Sequence, residues 1–262
     1  MNKESIEQIK NKKAIIFDMD GVLYHGNNIL PGVKDLIAWL QKENKKFLFL
    51  TNSSERTPRE LSSKLHRMGI DVDESHFYTS ALATAAFLHS QLPSGSAYVI
   101  GEPGLLNALY NVGYAINNVD PDYVVVGDTH AYNYEKIEEA IRLVIKGAKL
   151  IGTNPDLTGP TEGGISPSTK ALIAPVELAS GKKAYFVGKP NPLMMRMALK
   201  KLTSQREDTI IIGDRMDTDI IAGIESEIDT VLVLSGITTK DMIKNFSYRP
   251  RYVLDGVKDL LG

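Results

Sequence analysis

Asp18 and Asp20 stand two residues apart at the end of the apolar run Ile15-Ile16-Phe17, and Gly21 follows them. A run this short and apolar reads as a strand buried on both faces of a parallel sheet. In open α/β sheets, ligands bind just beyond the carboxyl ends of such strands. Gly21 lets the chain turn sharply there. Two carboxylates held close together repel each other unless a cation is bound or one of them keeps a proton. Either outcome is chemistry. The competing reading is a strand that ends in an ordinary Asp-Gly turn.

Three further windows weigh against that simpler reading. The apolar run Phe47-Leu48-Phe49-Leu50 ends in Thr51-Asn52-Ser53. Ala184 to Val187 leads into Gly188-Lys189-Pro190, and Thr209-Ile210-Ile211-Ile212 ends in Gly213-Asp214, with Asp217 and Asp219 beyond. Polar groups of complementary kinds therefore recur at strand ends. Asp18, Asp20 and Asp214 could converge there with no His or Cys beside them. Oxygen-only ligands favour a hard ion such as Mg²⁺, which often shares its shell with a phosphate. Thr51 and the N–H groups around Asn52 can donate to phosphate oxygens, and Lys189 can neutralise phosphate charge. A carboxylate attacking phosphorus gives an acyl phosphate. A second acid can protonate the leaving group and later activate water. Asp18 and Asp20 suit those two roles.

Composition narrows the field. The 262 residues are 43% hydrophobic and 24% charged with a net charge of −2, which suits one large or two small globular domains. That balance gives no electrostatic case for nucleic acid or membrane binding. No apolar stretch approaches the ~20 residues that span a bilayer, and Met1 to Lys13 has no apolar signal-peptide core. The absence of cysteine excludes disulfides and thiolate catalysis and fits a cytoplasmic enzyme.

The elements that must position these groups alternate between strand-like and helix-like runs, so the fold class is α/β with parallel sheets. Val33, Leu36, Ile37 and Leu40 keep helical spacing. Thr57-Pro58-Arg59-Glu60 is a capping box that opens a helix ending near Gly69. Ala81 to Leu92, Leu105 to Val112 and the face Ile137, Ala140, Ile141, Val144 predict more helices. Ala97 to Ile100 and Tyr123 to Val126 predict strands. The Gly-, Pro-, Ser- and Thr-rich stretch 158–168 reads as a loop. The chemistry-bearing windows fall at both ends of the chain. The architecture expected is one sheet built from 1–79 and 184–262, with 80–183 inserted as a smaller α/β domain. Asp217 reads as a helix N-cap, and the five histidines, which share no ligand spacing, read as structural or surface residues.

Asp18-x-Asp20-Gly21, Thr51-Asn52, Lys189 and Gly213-Asp214 through Asp219 resemble the four motifs of the haloacid dehalogenase superfamily. With Tyr78-Thr79-Ser80, Thr153-Asn154-Pro155-Asp156 and Val187-Gly188-Lys189-Pro190, the chain from about residue 13 onward resembles the NagD-like phosphatase branch. The resemblance implies a Rossmann-like parallel-sheet core with a large inserted α/β cap, and Mg²⁺-dependent hydrolysis of phosphate monoesters through a phospho-aspartate. It implies Asp18 as nucleophile and Asp20 as general acid/base. The metal would be held by the Asp18 side chain, the Asp20 carbonyl and Asp214. Thr51, Asn52 and Lys189 would bind the phosphoryl group, with Asp219 in support, and Asn154 and Asp156 of the cap would meet the leaving group. Arg215 stands where the compared bacterial member has Asn. The implied partner is a small phosphorylated metabolite, a nucleoside monophosphate or sugar phosphate, and caps of this family often pair into homo-oligomers. Two alternatives share parts of the acid set: phosphotransfer to a second substrate, and a phosphoaspartate signalling domain. The latter needs neither Asp20 nor the insertion. A dinucleotide-dependent oxidoreductase is disfavoured, because no Gly-x-Gly-x-x-Gly follows a strand.

Overall fold

Ala14–Phe17 is buried throughout, as its unbroken apolar run requires, and lies in the middle of a six-stranded sheet. The computed structural model describes residues 3–161 and 163–261; the outer limits expected for the core, residues 1 and 262, lie outside the described residues. The strand order in the sheet is Tyr252–Leu254, Asp229–Val233, Thr209–Gly213, Ala14–Phe17, Lys46–Thr51, Phe77–Thr79. Ala14–Phe17 pairs in parallel with Thr209–Gly213 on one side, with Phe17 opposite Ile212. It pairs with Lys46–Thr51 on the other, with Phe17 opposite Phe49. The early strands extend the sheet in one direction and the late strands in the other. The order therefore reverses beside Ala14–Phe17, where such sheets bind ligands.

The chain divides into two compact units: Met1–Thr51, Leu61–Tyr78 and Lys189–Gly262 form the first, and Asn52–Glu60 and Thr79–Gly188 the second. In the first, Phe17, Phe49, Leu36, Leu40, Leu65 and Phe77 belong to one buried apolar cluster. Leu36 and Leu40 come from the amphipathic helix Val33–Lys42, whose polar positions stay outside.

The second unit has its own parallel sheet, in the order Tyr185–Phe186, Lys149–Gly152, Tyr123–Val126, Ser96–Ile100, Ala115–Ile116. Two helices, Tyr134–Lys146 and Thr169–Ser180, bury Ala140, Val144, Ile173 and Val176 with Val124 and Val126 of that sheet.

The structure departs from the sequence reading at three places. Tyr185–Phe186 pairs with Lys149–Gly152, so this unit runs to Gly188 rather than to 183. The segment Asn52–Glu60 also belongs to it: Gly104 N–H donates to Glu55 O at 2.9 Å. And the stretch expected as a loop is an antiparallel hairpin of Thr158–Thr161 with Gly164–Pro167. Both of its strands leave their side chains largely exposed, so no inside-outside alternation marks them in the sequence. Among the described residues no helix is long and apolar enough to cross a membrane.

Candidate active site

Asp18 leaves the sheet directly after Phe17 and stays tethered to it, its N–H donating to Ile212 O at 2.9 Å. Asp214 leaves the neighbouring strand directly after Gly213. Asp219 comes back toward them on a single wide turn, Met216–Ile220, in which Ile220 N–H reaches Arg215 O five residues back. Oxygens of Asp18, Asp214 and Asp219 lie within 4.8 Å of one another.

Lys189, 1% exposed, lies among them. Its Nζ donates to Asp18 Oδ1 at 2.5 Å, Asp219 Oδ1 at 2.7 Å and Leu50 O at 3.1 Å. The bond to Leu50 O sets the ammonium beside the strand end that carries Thr51. The second oxygen of Asp219 accepts from Arg215 N–H at 3.1 Å, so Asp219 is committed to holding Lys189 and its own turn. Asp214 Oδ2 accepts from Ile237 N–H at 2.7 Å.

One ammonium thus faces three buried carboxylates. Burial pushes the Asp18 carboxyl up to about 7 against the pull of Lys189, with Asp219 and Asp20 adding repulsion. Burial, then Asp18 and Asp219, push Asp214 up to about 8. Lys189 moves up as well, because attraction to Asp18 and Asp219 outweighs its own desolvation. The two directions agree once the charges are counted: the cluster is short of positive charge. Near neutral pH it must take up protons or a cation. The donor set is oxygen only, two of its acids are raised by burial and by their neighbouring carboxylates, and Asp214 has a second oxygen to offer. These residues fit a hard divalent ion such as Mg²⁺.

Asp20 stands apart from that cluster. Its side chain is 43% exposed, with His25 Nδ1 3.7 Å from Oδ1. Burial still raises its pKa, opposed by Lys64 and His25. A half-exposed carboxyl held above its ordinary range is suited to carry a proton. Gly21 explains the turn after it. Its φ is +78°, and a Cβ there would meet Asp214 Oδ2 at 2.5 Å.

Asp217, expected as an N-cap, is instead inside the wide turn and partly exposed, where its carboxylate takes both Nε and Nη2 of Arg215 at 3.0 and 2.9 Å. Arg215 N–H is the group bound by Asp219, so Asp217 and Asp219 have separate duties.

The remaining expected residues lie in the second unit. Asn52 Nδ2 donates to Asp156 Oδ2 at 2.9 Å, and Asn52 O accepts from Ser80 Oγ at 2.5 Å and Asn154 Nδ2 at 2.9 Å. Asn154 is 1% exposed. Its amide oxygen accepts from Asp156 N–H at 3.1 Å, and its nitrogen serves Asn52 and Asp128. The residue expected to meet a leaving group is therefore enclosed and fully hydrogen-bonded, while Asp156 is the partly exposed one. Gly188 packs where a Cβ would meet Asn52 Oδ1 and Thr153 O, both at 2.7 Å, which explains the glycine before Lys189.

Sequence reasoning missed Ser235, Gly236 and Asp128. Ser235 Oγ donates to Gly21 O at 2.7 Å, and the Cα of Gly236 leaves room for the Asp214 carboxylate. The signal was present: Val231 to Leu234 is one more apolar run ending in a polar residue and a glycine.

A family model described as haloacid dehalogenase-like hydrolase matches residues 15–115, and a related HAD-hydrolase-like model matches residues 186–260. A dihydroxyacetone phosphatase of Corynebacterium glutamicum is 44% identical over 94% of this chain and 90% of its own length. The ribonucleotide monophosphatase NagD of Escherichia coli K12 is 40% identical over 95% of this chain and 98% of its own. A solved structure of NagD from E. coli K-12 superposes with a TM-score of 0.90 at 39% identity, covering 95% of this chain and 98% of that one.

Proposed function

Because the chain belongs to the haloacid dehalogenase-like hydrolases and is a phosphatase of their NagD-like branch, we propose that it hydrolyses small phosphate monoesters by way of an aspartyl phosphate on Asp18. The observation that supports this most is the Lys189 ammonium bonded at once to Asp18, Asp219 and Leu50 O, beside Thr51. It fixes Asp18 at the strand end and sets positive charge where a phosphoryl group would be received.

In this reading an Asp18 oxygen attacks phosphorus and the ester oxygen departs with a proton from Asp20. Asp20 then takes a proton from water as water attacks the acyl phosphate, which returns Asp18 and releases phosphate. Thr51, Asn52 and Lys189 hold the phosphoryl oxygens. Asp18, Asp214 and the Asp20 carbonyl would hold Mg²⁺. When bound, Mg²⁺ supplies charge neutralisation between the nucleophile and the phosphoryl oxygens. Asp219 acts by holding Lys189.

For the substrate we favour a polar leaving group bearing hydroxyls or ring nitrogens, as in sugar phosphates and nucleoside monophosphates. The partly exposed Asp156 carboxylate can accept hydrogen bonds from such a group, and the named activities of the relatives are of that kind. The test is a screen of phosphorylated metabolites with free phosphate as readout, run in Mg²⁺ and again in EDTA. Release confined to the Mg²⁺ arm is the expected result. Equal release in both arms would refute the metal assignment, and substrate consumed without free phosphate, with an added acceptor alcohol recovered as its phosphate ester, would favour phosphotransfer.

A further inference from the structure

The second unit encloses a polar knot that the proposed chemistry does not use. Its centre is Asp128, 9% exposed, directly after the strand Tyr123–Val126 and Gly127. Oδ1 accepts from Ser168 Oγ at 2.5 Å and from Thr169 N–H and Oγ1 at 3.0 Å each. Oδ2 accepts from Asn154 Nδ2 at 3.0 Å and from Ser54 N–H and Oγ at 3.3 Å each. Ser54 Oγ in turn accepts the Asp128 N–H at 3.0 Å. One carboxylate therefore joins three separate stretches of chain: the segment after Thr51, the Asn154-Pro155-Asp156 turn, and the start of the helix Thr169–Ser180.

The knot leads to the residues expected to meet substrate. Asn154 Nδ2 has two hydrogens, and its shortest bonds, to Asn52 O at 2.9 Å and Asp128 Oδ2 at 3.0 Å, account for both. Those acceptors on one side and the Asp156 N–H donor on the other fix which end of the amide is which. Asn52 then holds the Asp156 carboxylate with its own amide. A chain of hydrogen bonds runs from Asp128 through Asn154 to Asn52 and Asp156. Ser54, Thr153, Asn154 and Thr169 are each at most 1% exposed, so water has no access to substitute for a lost partner.

We propose that Asp128 is a positioning residue for substrate selection: acting through Asn154 and the Asn52 side chain, it fixes the Asp156 carboxylate in the orientation that meets a polar leaving group. The inference rests on the phosphatase reading and names what sets its selectivity. Asp128 itself touches no substrate. Burial of a carboxylate among so many donors would serve stability alone if its only duty were to close the unit, so the test must read more than stability.

The experiment uses the full-length enzyme with ribose 5-phosphate as the polar substrate and p-nitrophenyl phosphate as the apolar one. Asp128→Asn keeps the shape but turns an acceptor into a donor among donors. It should raise KM for ribose 5-phosphate about tenfold, equivalent to about 1.4 kcal/mol, with kcat on p-nitrophenyl phosphate within about threefold of the parent. Asp156→Ala should raise the same KM by a similar factor, and the double variant should be no worse than Asp156→Ala alone, because the two act in series. Thr169→Val removes one hydroxyl donor with little change of shape and should move KM in the same direction by about twofold. It carries the test, singly and with Asp156→Ala, if Asp128→Asn does not fold. A lowered melting temperature with KM for ribose 5-phosphate unchanged, or KM effects that multiply in the double variant, would overturn the proposal. Wild-type enzyme inactive toward both substrates would overturn the phosphatase reading itself and this inference with it.

Discussion

Removing divalent metal should make the protein's stability fall as pH rises, and returning the metal should abolish most of that fall. Asp18 and Asp214 are held up at about 7 and about 8, burial being the largest cause for both. An acid whose folded pKa is raised contributes stability below its unfolded pKa, and that stability is lost as pH rises through the folded pKa. Lys189 is also raised, so its contribution persists below its ordinary pKa and does not change in this window. The relevant window is therefore pH 5.5 to 8.5. Each pH unit spent between an acid's unfolded and folded pKa costs about 1.4 kcal/mol. Counted singly, Asp18 would lose about 2 and Asp214 about 3 to 4 kcal/mol across it. Each figure includes their mutual repulsion, so the joint value lies below their sum, at about 4 kcal/mol. For a chain of this size that is roughly 8–16 °C in melting temperature. The assay is thermal unfolding in EDTA and in millimolar MgCl₂ at pH 5.5 and 8.5. The gap between the two melts should be narrow at pH 5.5, where protons take the cation's place, and wide at pH 8.5. Asp214→Asn should flatten the EDTA series. A gap that is equal at both pH values, or wider in acid, would refute the charge argument.

Two substitutions test the acid cluster more directly. Asp18→Asn should abolish turnover, with a loss of kcat rather than a rise in KM, and should leave the circular dichroism spectrum unchanged; near-parental kcat, with deamidation excluded by mass spectrometry, would contradict the nucleophile assignment. Gly236→Ala would set a methyl group against the Asp214 carboxylate, so it should weaken Mg²⁺ activation at least about tenfold, read as the metal concentration giving half-maximal rate. Unchanged activation would mean Asp214 is free to move away.

The core and its acids were legible because fully buried parallel strands are unbroken apolar runs, and two of them, Ala14–Phe17 and Thr209–Gly213, lead straight into an acid that no buried strand would tolerate. Ile210, Ile211 and Ile212 are wholly buried and Asp214 follows one glycine later. The limit at 183 was not legible, because whether the short run Tyr185–Phe186 joins one sheet or the other depends on which partner edge is open, and Lys149–Gly152 supplies that edge. The hairpin at 158–167 was hidden for a different reason: its stabilisation is backbone pairing, which composition does not record. Asn154 was legible as a polar residue in an informative turn, but sequence cannot tell an amide that greets a ligand from one that is fully used inside. Only its partners decide that.

The same local sequence device appears twice with opposite outcomes. Ile210-Ile211-Ile212-Gly213-Asp214 and Val124-Val125-Val126-Gly127-Asp128 are both apolar strands ending in Gly-Asp. Asp128 meets six hydrogen-bond donor contacts in its knot, so donors surround its carboxylate even with the repelling Glu55 carboxylate nearby. Asp214 receives the single N–H of Ile237 and faces Asp18 and Asp219 across one shared lysine, so its charge is left unsatisfied. A satisfied buried carboxylate fixes geometry; an unsatisfied one leaves an unmet demand for a cation or a proton. The strand-Gly-Asp pattern alone therefore marks a position, and the surrounding donors decide between scaffold and chemistry. In this chain the scaffold carboxylate lies in the unit proposed to choose the leaving group, and the unsatisfied one beside the proposed nucleophile.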